Sequence, residues 1–204
     1  NGVGMHHSAG AQVITGGTAL NHIGGNGERC TRKTDKGLPR YWDAEESDVF
    51  ILSGAEDLVP LLNPDGSRFK DEDTAPGFTI HRYRPRIEGL FARIERWTKI
   101  DSGHIHWRSI SKDNITTLYG KTENSRIADP EHSTHVFSWL ICESYDDKGN
   151  VIYYRYKSED NQKSVGIDLA QANESNRTPQ SRASNRYVKR IKYGNLTPRQ
   201  ANED

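Results

Sequence analysis

The sequence has few cysteines and no long apolar run. It holds two cysteines, Cys30 and Cys142, in 204 residues, which is too few for a fold held together by disulfides. We interpret both as free thiols, because their sequence contexts differ: Cys142 lies in an apolar run, whereas Cys30 lies in a Gly-rich segment. The apolar runs are only a few residues long, far short of the ~20 residues that a membrane helix requires. We therefore expect no direct insertion into a membrane.

Catalytic motifs are also absent from the sequence. It has no Gly-x-Ser-x-Gly nucleophile elbow and no Gly-x-x-x-x-Gly-Lys-Ser/Thr phosphate loop, so the common hydrolase and phosphate-binding signatures do not apply. His104 and His106 stand two residues apart and would share one face of a strand, where both imidazoles could bind one metal ion. No Asp, Glu or Cys stands at a metal-ligand spacing from these two histidines. A pair of solvent-facing histidines beside Trp107 is therefore the simpler interpretation. We predict no enzyme, no catalytic or cofactor-binding residue, no metal site and no cofactor.

The composition is polar and the net charge is zero. The hydrophobic fraction of 33% lies below that of an ordinary globular domain, so we expect the chain to complete its core against a neighbour. Acidic residues concentrate between residues 43 and 73 and basic residues between 77 and 112, an arrangement that favours mutual neutralisation over polyanion binding. We therefore predict no nucleic-acid partner, although one interleaved set of residues could track a nucleic-acid backbone: Arg82, Tyr83, Arg84, Arg86, Arg93, Arg96 and Trp97.

The residue pattern from position 48 onward predicts a mostly β fold. Alternating apolar and polar residues mark strands at 48–52, 78–84, 89–100 and 104–111, and the last of these turns at residues 112–114 into a strand at 115–119. The strongest prediction is a hairpin over 134–156, because Gly149 stands in its loop where a positive φ is needed. Residues 165–176 hold either one short helix or a polar surface excursion. A final strand is predicted at 187–193.

Two segments near the N-terminus differ from this pattern. Residues 1–30 are Gly-rich and lack a period of 2 or 3.6, so we divide the chain into an irregular lead-in, 1–30, and a partial β domain, 31–204. The alternatives for the lead-in are a flexible segment, a diverged segment and a reading-frame error upstream of Thr31. The block from Arg32 to Tyr41 contains Gly37 and Pro39 and reads as a corner of the scaffold, with a basic docking surface as the alternative. The chain starts without Met and ends in a polar stretch, so we expect an internal piece of a longer protein.

Seven blocks of sequence, in one order, resemble the N-terminal region of the Salmonella plasmid virulence protein B (SpvB) family, which is shared by the B subunits of insecticidal toxin complexes. Tyr145-Asp146 followed by Gly149 also resembles the tyrosine-aspartate repeat of Rhs-type shells. The seven blocks are RKTDKGLPRY from Arg32, DVFILSGAEDLVP from Asp48, TIHRYRPRIEGLFARIERW from Thr79, HWRSISKDNITTLYG from His106, RIADP from Arg126, VFSWLICESYDDKGNVIYYRYKSED from Val136 and NRYVKRIKYGN from Asn185.

The resemblance implies a structural role. It implies antiparallel strands and hairpins that form part of a β-shell or a sandwich-like wall, in a non-catalytic segment of a toxin-complex B subunit that helps to enclose and deliver a cytotoxic effector. The implied partners are the C subunit, the remaining B-subunit domains and, indirectly, the pore-forming A subunit. In this family the ADP-ribosyltransferase is a separate C-terminal part with a Glu-x-Glu motif, and no Glu-x-Glu occurs in these residues.

Two further expectations concern localisation and an alternative function. With no visible signal peptide, we expect a toxin component that is made in the bacterial cytoplasm and then becomes extracellular. The alternative is a carbohydrate- or surface-binding β module with exposed Trp97, Trp107 and Trp139 as its contact residues. For an isolated segment of a shell, we also expect unpaired strand edges between Gly89 and Ser111.

Overall fold

The computed structural model describes residues 13–16, 50–53, 57–159 and 177–200, which form an antiparallel β structure with one short α-helix. A 3-10 helix spans Glu123–Ser125, and helix α1 spans Pro179–Ala183. The prediction of a mostly β, antiparallel fold is confirmed. The strands are β1 (Val13–Gly16), β2 (Phe50–Leu52), β3 (Asp57–Pro60), β4 (Lys70–Asp71), β5 (Phe78–Pro85), β6 (Arg93–Lys99), β7 (Ile105–Ile110), β8 (Thr116–Tyr119), β9 (Arg126–Ala128), β10 (Val136–Tyr145), β11 (Val151–Ser158) and β12 (Arg186–Lys192).

The strand pairings form a closed circuit with a short extension. The order β1-β2-β3-β5-β6-β7-β8-β10 returns to its start because β1 pairs with both β2 and β10. Strands β11 and β12 continue from β10 beyond this circuit, while β4 pairs with β5 and β9 pairs with β10. The circuit leaves β5, β6, β7 and β8 with a neighbour on each side, so their backbone hydrogen bonds are made within the sheet.

Aromatic side chains fill the main core that the circuit surrounds. The Trp107 ring lies 4.8 Å from Phe50, 5.1 Å from Tyr83 and 6.0 Å from Trp139, measured between ring centroids, and all three contacts are edge-to-face. Edge-to-face geometry is the favoured arrangement of aromatic pairs. Trp139 is fully buried and its indole N–H donates to the carbonyl oxygen of Ile105 at 2.9 Å, so its one polar atom is satisfied.

The packing of Trp139 requires a glycine on the neighbouring strand. Gly120 follows β8 with a φ of +67°, and a Cβ placed there would lie 2.3 Å from Cδ1 of Trp139. Any side chain would therefore meet both a strained backbone and a buried ring. A second, smaller core lies on the other face of β10, where Leu140 packs with Ile127 and Tyr156.

Both hairpins that the sequence predicted are confirmed. β10 pairs with β11 so that Glu143 lies opposite Tyr153, and Gly149 in the connecting loop has a φ of +82°. β7 pairs with β8 through a turn at Asn114, which has a φ of +57°, a conformation that Asn tolerates better than most residues. The predicted final strand corresponds to β12.

Two expectations are corrected by the pairing. The unpaired edges expected between residues 89 and 111 do not occur, since β6 pairs with β5 and β7, and β7 pairs with β6 and β8. The lead-in 1–30, expected to be irregular, contributes strand β1 to the sheet. The division at residue 31 itself stays a prediction.

Some predictions fall where the structure describes nothing. The alternatives for 165–176 and the corner or docking block at 32–41 lie outside the described residues, as does Cys30. Cys142 is a buried free cysteine, as predicted. Among the residues that are described, no helix is long and apolar enough to cross a membrane.

Candidate functional site

The candidate site lies on the face of β5, β6 and β7 that points away from the aromatic core. Strand pairing sets Glu95 opposite Arg108 and Trp97 opposite His106, so these four side chains share one face. Their neighbours Ile94 and Trp107 point the other way, into the main core. The alternation of β6 and β7 therefore positions a polar and aromatic surface directly behind the core.

Glu95 is the electrostatic centre of this face. Its fully buried carboxylate accepts a hydrogen bond from the Trp97 indole N–H at 3.0 Å and from the Arg108 guanidinium at 2.8 Å. Arg93 pairs with the other carboxylate oxygen, and Arg82 lies 3.9 Å from it. A buried carboxylate is tolerated only when it is paired and hydrogen-bonded, and here the surrounding guanidiniums meet both conditions.

The surroundings of Glu95 keep it ionised. Burial by itself raises the pKa of the carboxyl group, but the Trp97 hydrogen bond and the charges of Arg108 and Arg93 outweigh it, so the pKa lies below the ordinary Glu value of 4.5. Charged donors around a carboxylate have this effect because they stabilise only its ionised form. Glu95 is thus an anchor for arginines at neutral pH and not a proton donor.

A pocket opens beside this ion cluster. The Arg108 guanidinium lies 4.5 Å from the centroid of the Trp97 ring, a cation–π contact, and Phe78 meets both Trp97 and His106 edge-on. The cavity measures about 210 Å³ and is lined by aromatic and basic side chains. These include Phe78, Trp97, His106, Arg108, Lys121 and Tyr145.

The pocket is suited to packing and polar contact. Among the described residues the lining holds no Ser, Cys, Asp or Glu, and Arg108 is already paired with Glu95. An apolar or aromatic side chain of a neighbouring segment would fit this volume.

The two histidines considered as metal ligands are used differently. His104 lies in the loop before β7, whereas His106 is on the strand and packs against Phe78 and Trp97 at centroid distances of 5.7 and 5.6 Å. Within the described ranges, no three His, Cys, Asp or Glu side chains lie close enough to hold a metal ion together. His106 is therefore part of the aromatic lining.

The three tryptophans do not form an exposed binding platform, which corrects the expectation from the sequence. Trp107 and Trp139 are fully buried in the main core. Trp97 alone is partly exposed, and its ring is already engaged by Arg108 and Phe78. The predicted alternation of polar and aromatic residues along these strands is confirmed, but the prediction that the aromatic residues face solvent is wrong.

The Arg and aromatic series considered for nucleic acid is also divided between two faces. Arg96 is buried in the main core, with its guanidinium 5.8 Å from the Phe50 ring and 6.0 Å from the Tyr83 ring. Arg82 and Arg93 lie on the opposite face beside Glu95. Side chains that point to opposite sides of one sheet cannot follow one nucleic-acid backbone.

Sequence reasoning did not single out Glu95. The spacing Arg93-x-Glu95-x-Trp97 puts the three residues on one face of a strand, and this was the available signal. This spacing did not reveal that Glu95 is buried, because the Arg108 side chain that pairs with it comes from another strand. A second missed contact is Arg199, which pairs with Glu143 and places its guanidinium 3.9 Å from the centroid of the Tyr145 ring.

Comparison with protein families gives one match that spans most of the chain. The profile of the family described as "Salmonella virulence plasmid 65kDa B protein" matches residues 25–203. The chain is 33% identical over 174 residues to the mono(ADP-ribosyl)transferase SpvB of Salmonella typhimurium and, equally, of Salmonella dublin. The aligned region covers 82% of this chain and 28% of each relative.

Solved structures with the same fold come from an effector and from toxin complexes. The N-terminal domain of the effector protein SpvB from Salmonella typhimurium aligns with a TM-score of 0.68 and 30% identity, over 92% of this chain and 53% of that chain. A TcdB2-TccC3 crystal structure aligns with a TM-score of 0.64 and 27% identity. The Photorhabdus luminescens Tc holotoxin pore aligns with a TM-score of 0.63 and 26% identity. The latter two alignments cover 92% of this chain and 8% of the matched chain.

Proposed function

This chain belongs to the Salmonella virulence plasmid 65kDa B protein family, and we propose that it is a non-catalytic structural segment of a toxin-complex B subunit. In this role it contributes to the shell that encloses a cytotoxic effector and helps to deliver it. The observation that carries the proposal is the alignment of 92% of the chain with a TcdB2-TccC3 structure at a TM-score of 0.64. Fold likeness alone does not assign a function, so the proposal also rests on the chemistry of the site.

The site supports a structural role because its polar groups are engaged with one another. Glu95 is neutralised by arginines and bonded to Trp97, and the part of the pocket lining that the structure describes has no carboxylate or thiol. Such a surface contributes cohesion between strands and a cavity for a neighbouring side chain.

The transferase activity named for the relatives is not proposed for this chain. The aligned region covers 28% of those proteins, and the structural match is to an N-terminal domain. The chain has no Glu-x-Glu sequence, the motif that the family's transferase part uses. Its partners are then the C subunit and the other B-subunit domains, with the A subunit contacted indirectly, in a component that leaves the bacterial cytoplasm.

The test is a replacement experiment in a toxin complex. The segment of TcdB2 that aligns with this chain is exchanged for residues 1–204, and the chimera is co-expressed with TccC3. We expect co-elution of the two proteins and protection of the enclosed effector from added protease. A matched chimera that carries an unrelated β domain of similar length should lose both properties. Failure of the first chimera to assemble, while unaltered TcdB2 does so, would reject the proposal.

An activity assay addresses catalysis separately. The chain is incubated with labelled NAD and a cell lysate, beside full-length SpvB from Salmonella typhimurium. We expect label on lysate proteins with SpvB and none with this chain. Transfer of label by this chain at a rate comparable to that of SpvB would show that the proposed absence of catalysis is wrong.

A further inference from the structure

Strand β12 offers a backbone edge that no described strand covers. It is the last strand in the pairing order and, among the described residues, it pairs only with β11. Six residue pairs join the two strands, from Tyr153 opposite Lys192 to Ser158 opposite Arg186. The outer edge of β12 therefore presents a row of N–H and C=O groups of the kind to which another strand can pair.

The second core cluster supports this strand pair from one side. Tyr156 packs with Leu140 and Ile127, and Tyr154 and Val188 pack against that cluster. Side chains alternate along a strand, so Arg155 lies on the opposite face of β11. One face of the pair is thus fixed to the body of the protein, and the other face is open.

The open face is strongly basic. β11 and β12 contain no Asp or Glu. Tyr187 accompanies the charges, because it lies opposite Lys157 and is exposed. Ile191 is also exposed, but it lies opposite Tyr154 on the other face of the pair. We call this surface, together with the outer edge of β12, the basic strand pair, and its cations are Arg155, Lys157, Arg190 and Lys192, with Lys189 at the register shift beside them.

Two arginines at the centre of this surface have no ion-pair partner among the described residues. The register sets Arg155 directly opposite Arg190, and like charges in this arrangement repel each other. Both side chains are exposed, and neither takes part in an ion pair within the described part of the chain. By contrast, Arg93 and Arg108 both pair with Glu95.

We propose that the basic strand pair binds an extended acidic segment of a partner protein, which adds to the edge of β12 as a further strand. Carboxylates of that segment would lie beside Arg190 and Lys192, and its alternate, apolar residues would pack beside Ile191 on the other face of the strand pair. Strand addition supplies affinity through backbone hydrogen bonds and specificity through alternating side chains. A peptide backbone can hydrogen-bond to the N–H and C=O groups of the edge, whereas the backbone of a nucleic acid would interact only with the positive charges. This inference does not depend on the proposed function.

The experiment uses the full chain and a fluorescent, roughly twelve-residue peptide that alternates Glu with Val or Thr. We expect saturable binding by fluorescence anisotropy, with slower amide hydrogen exchange in β12 when the peptide is bound. A control peptide of similar charge with Pro at every third position cannot pair as a strand and should bind much more weakly. Equal binding of the two peptides, or no binding of the first, would overturn the proposal.

A pair of double variants locates the surface. Arg190→Glu with Lys192→Glu should weaken peptide binding by about tenfold or more, because like charges at an interface repel. Its melting temperature should not fall, since the change removes the repulsion between residues 155 and 190. Arg84→Glu with Lys112→Glu makes the same change of net charge at exposed positions of β5 and the β7–β8 turn and should leave binding within about twofold. Equal effects of the two double variants would contradict the assigned surface.

Two further outcomes identify other occupants. Single-stranded DNA of similar charge is offered in place of the peptide, and we expect weaker binding with no added protection of β12 amides. Sedimentation of the chain alone should show no concentration-dependent self-association through β12. Tight DNA binding that Arg190→Glu with Lys192→Glu abolishes would assign the surface to nucleic acid, and self-association with protected β12 amides would assign it to a second copy; either result rejects the proposal.

Discussion

Replacing Glu95 by Gln tests the ion cluster behind the core. The substitution conserves size but removes the charge that faces Arg93 and Arg108. Breaking a buried ion pair costs ~3–5 kcal/mol, whereas an exposed pair contributes only ~0–1 kcal/mol. Glu95 is fully buried, but the side chains of Arg108 and Arg93 are 24% and 44% exposed, so their charges stay partly solvated. We therefore expect a loss of about 2–3 kcal/mol at pH 7, or about 4–12 °C in melting temperature for a chain of this size.

The loss should depend on pH in a defined direction. The pKa of Glu95 is lowered in the folded protein, so its ionised form contributes stability that is fully present above the ordinary Glu pKa. That contribution disappears as the pH falls through the folded-state pKa, because the carboxyl group then becomes neutral. The difference in stability between wild type and Glu95→Gln should therefore be largest near pH 7 and shrink below about pH 4.

The measurement is thermal unfolding of both proteins between pH 3 and pH 7. Other carboxyl groups also titrate in this range, but they are the same in both proteins and cancel in the difference. Glu123→Gln is the matched control, because Glu123 is exposed and its neutralisation should change stability by less than about 0.5 kcal/mol. If Glu95→Gln were as stable as wild type at pH 7, or if the difference stayed constant down to pH 3, the account of Glu95 would be wrong.

Three other substitutions or treatments probe the core and the hairpin. Trp139→Ala should cost ~3–5 kcal/mol in urea unfolding, because Trp139 is fully buried and hydrogen-bonded; a loss under about 1 kcal/mol would contradict its place in the core. Gly149→Val should cost about 1–3 kcal/mol, since the φ there is +82° and a Cβ would lie 2.7 Å from Cβ of Pro198; unchanged thermal stability would show that the loop adapts. In a Cys30→Ser background, Cys142 should resist iodoacetamide until the protein unfolds, because burial raises the pKa of its thiol; rapid alkylation of the folded protein, read by mass spectrometry, would argue against that burial.

The hairpins were predictable because their signals are local. In the β10–β11 loop, Asp146 accepts hydrogen bonds from the backbone N–H groups of Lys148 and Asn150, both at 2.9 Å, and Gly149 supplies the positive φ. These contacts span at most four residues, so residue type and spacing contain the information. The same reasoning located the turn at Asn114 between β7 and β8.

The faces of β6 were not predictable in the same way. One face carries Glu95 and Trp97, and the other carries Ile94 and Arg96. Both faces mix charged with apolar residues, so alternation identifies a strand but does not say which side is buried. Arg96 is buried because Phe50 and Tyr83 reach it from other strands, and Glu95 is buried because Arg93 and Arg108 neutralise it.

The sequence by itself determined that this protein is an antiparallel β structure with its main turns in place, and it carried the order of blocks that marks the family. Those features depend on short-range backbone geometry and on residue identity along the chain. Only the tertiary structure decided that the circuit closes through β1, that Trp107 and Trp139 are buried, and that β12 has β11 as its one partner among the described strands. The physical reason is that strand neighbours and burial depend on pairing between residues distant in sequence, which no local pattern specifies.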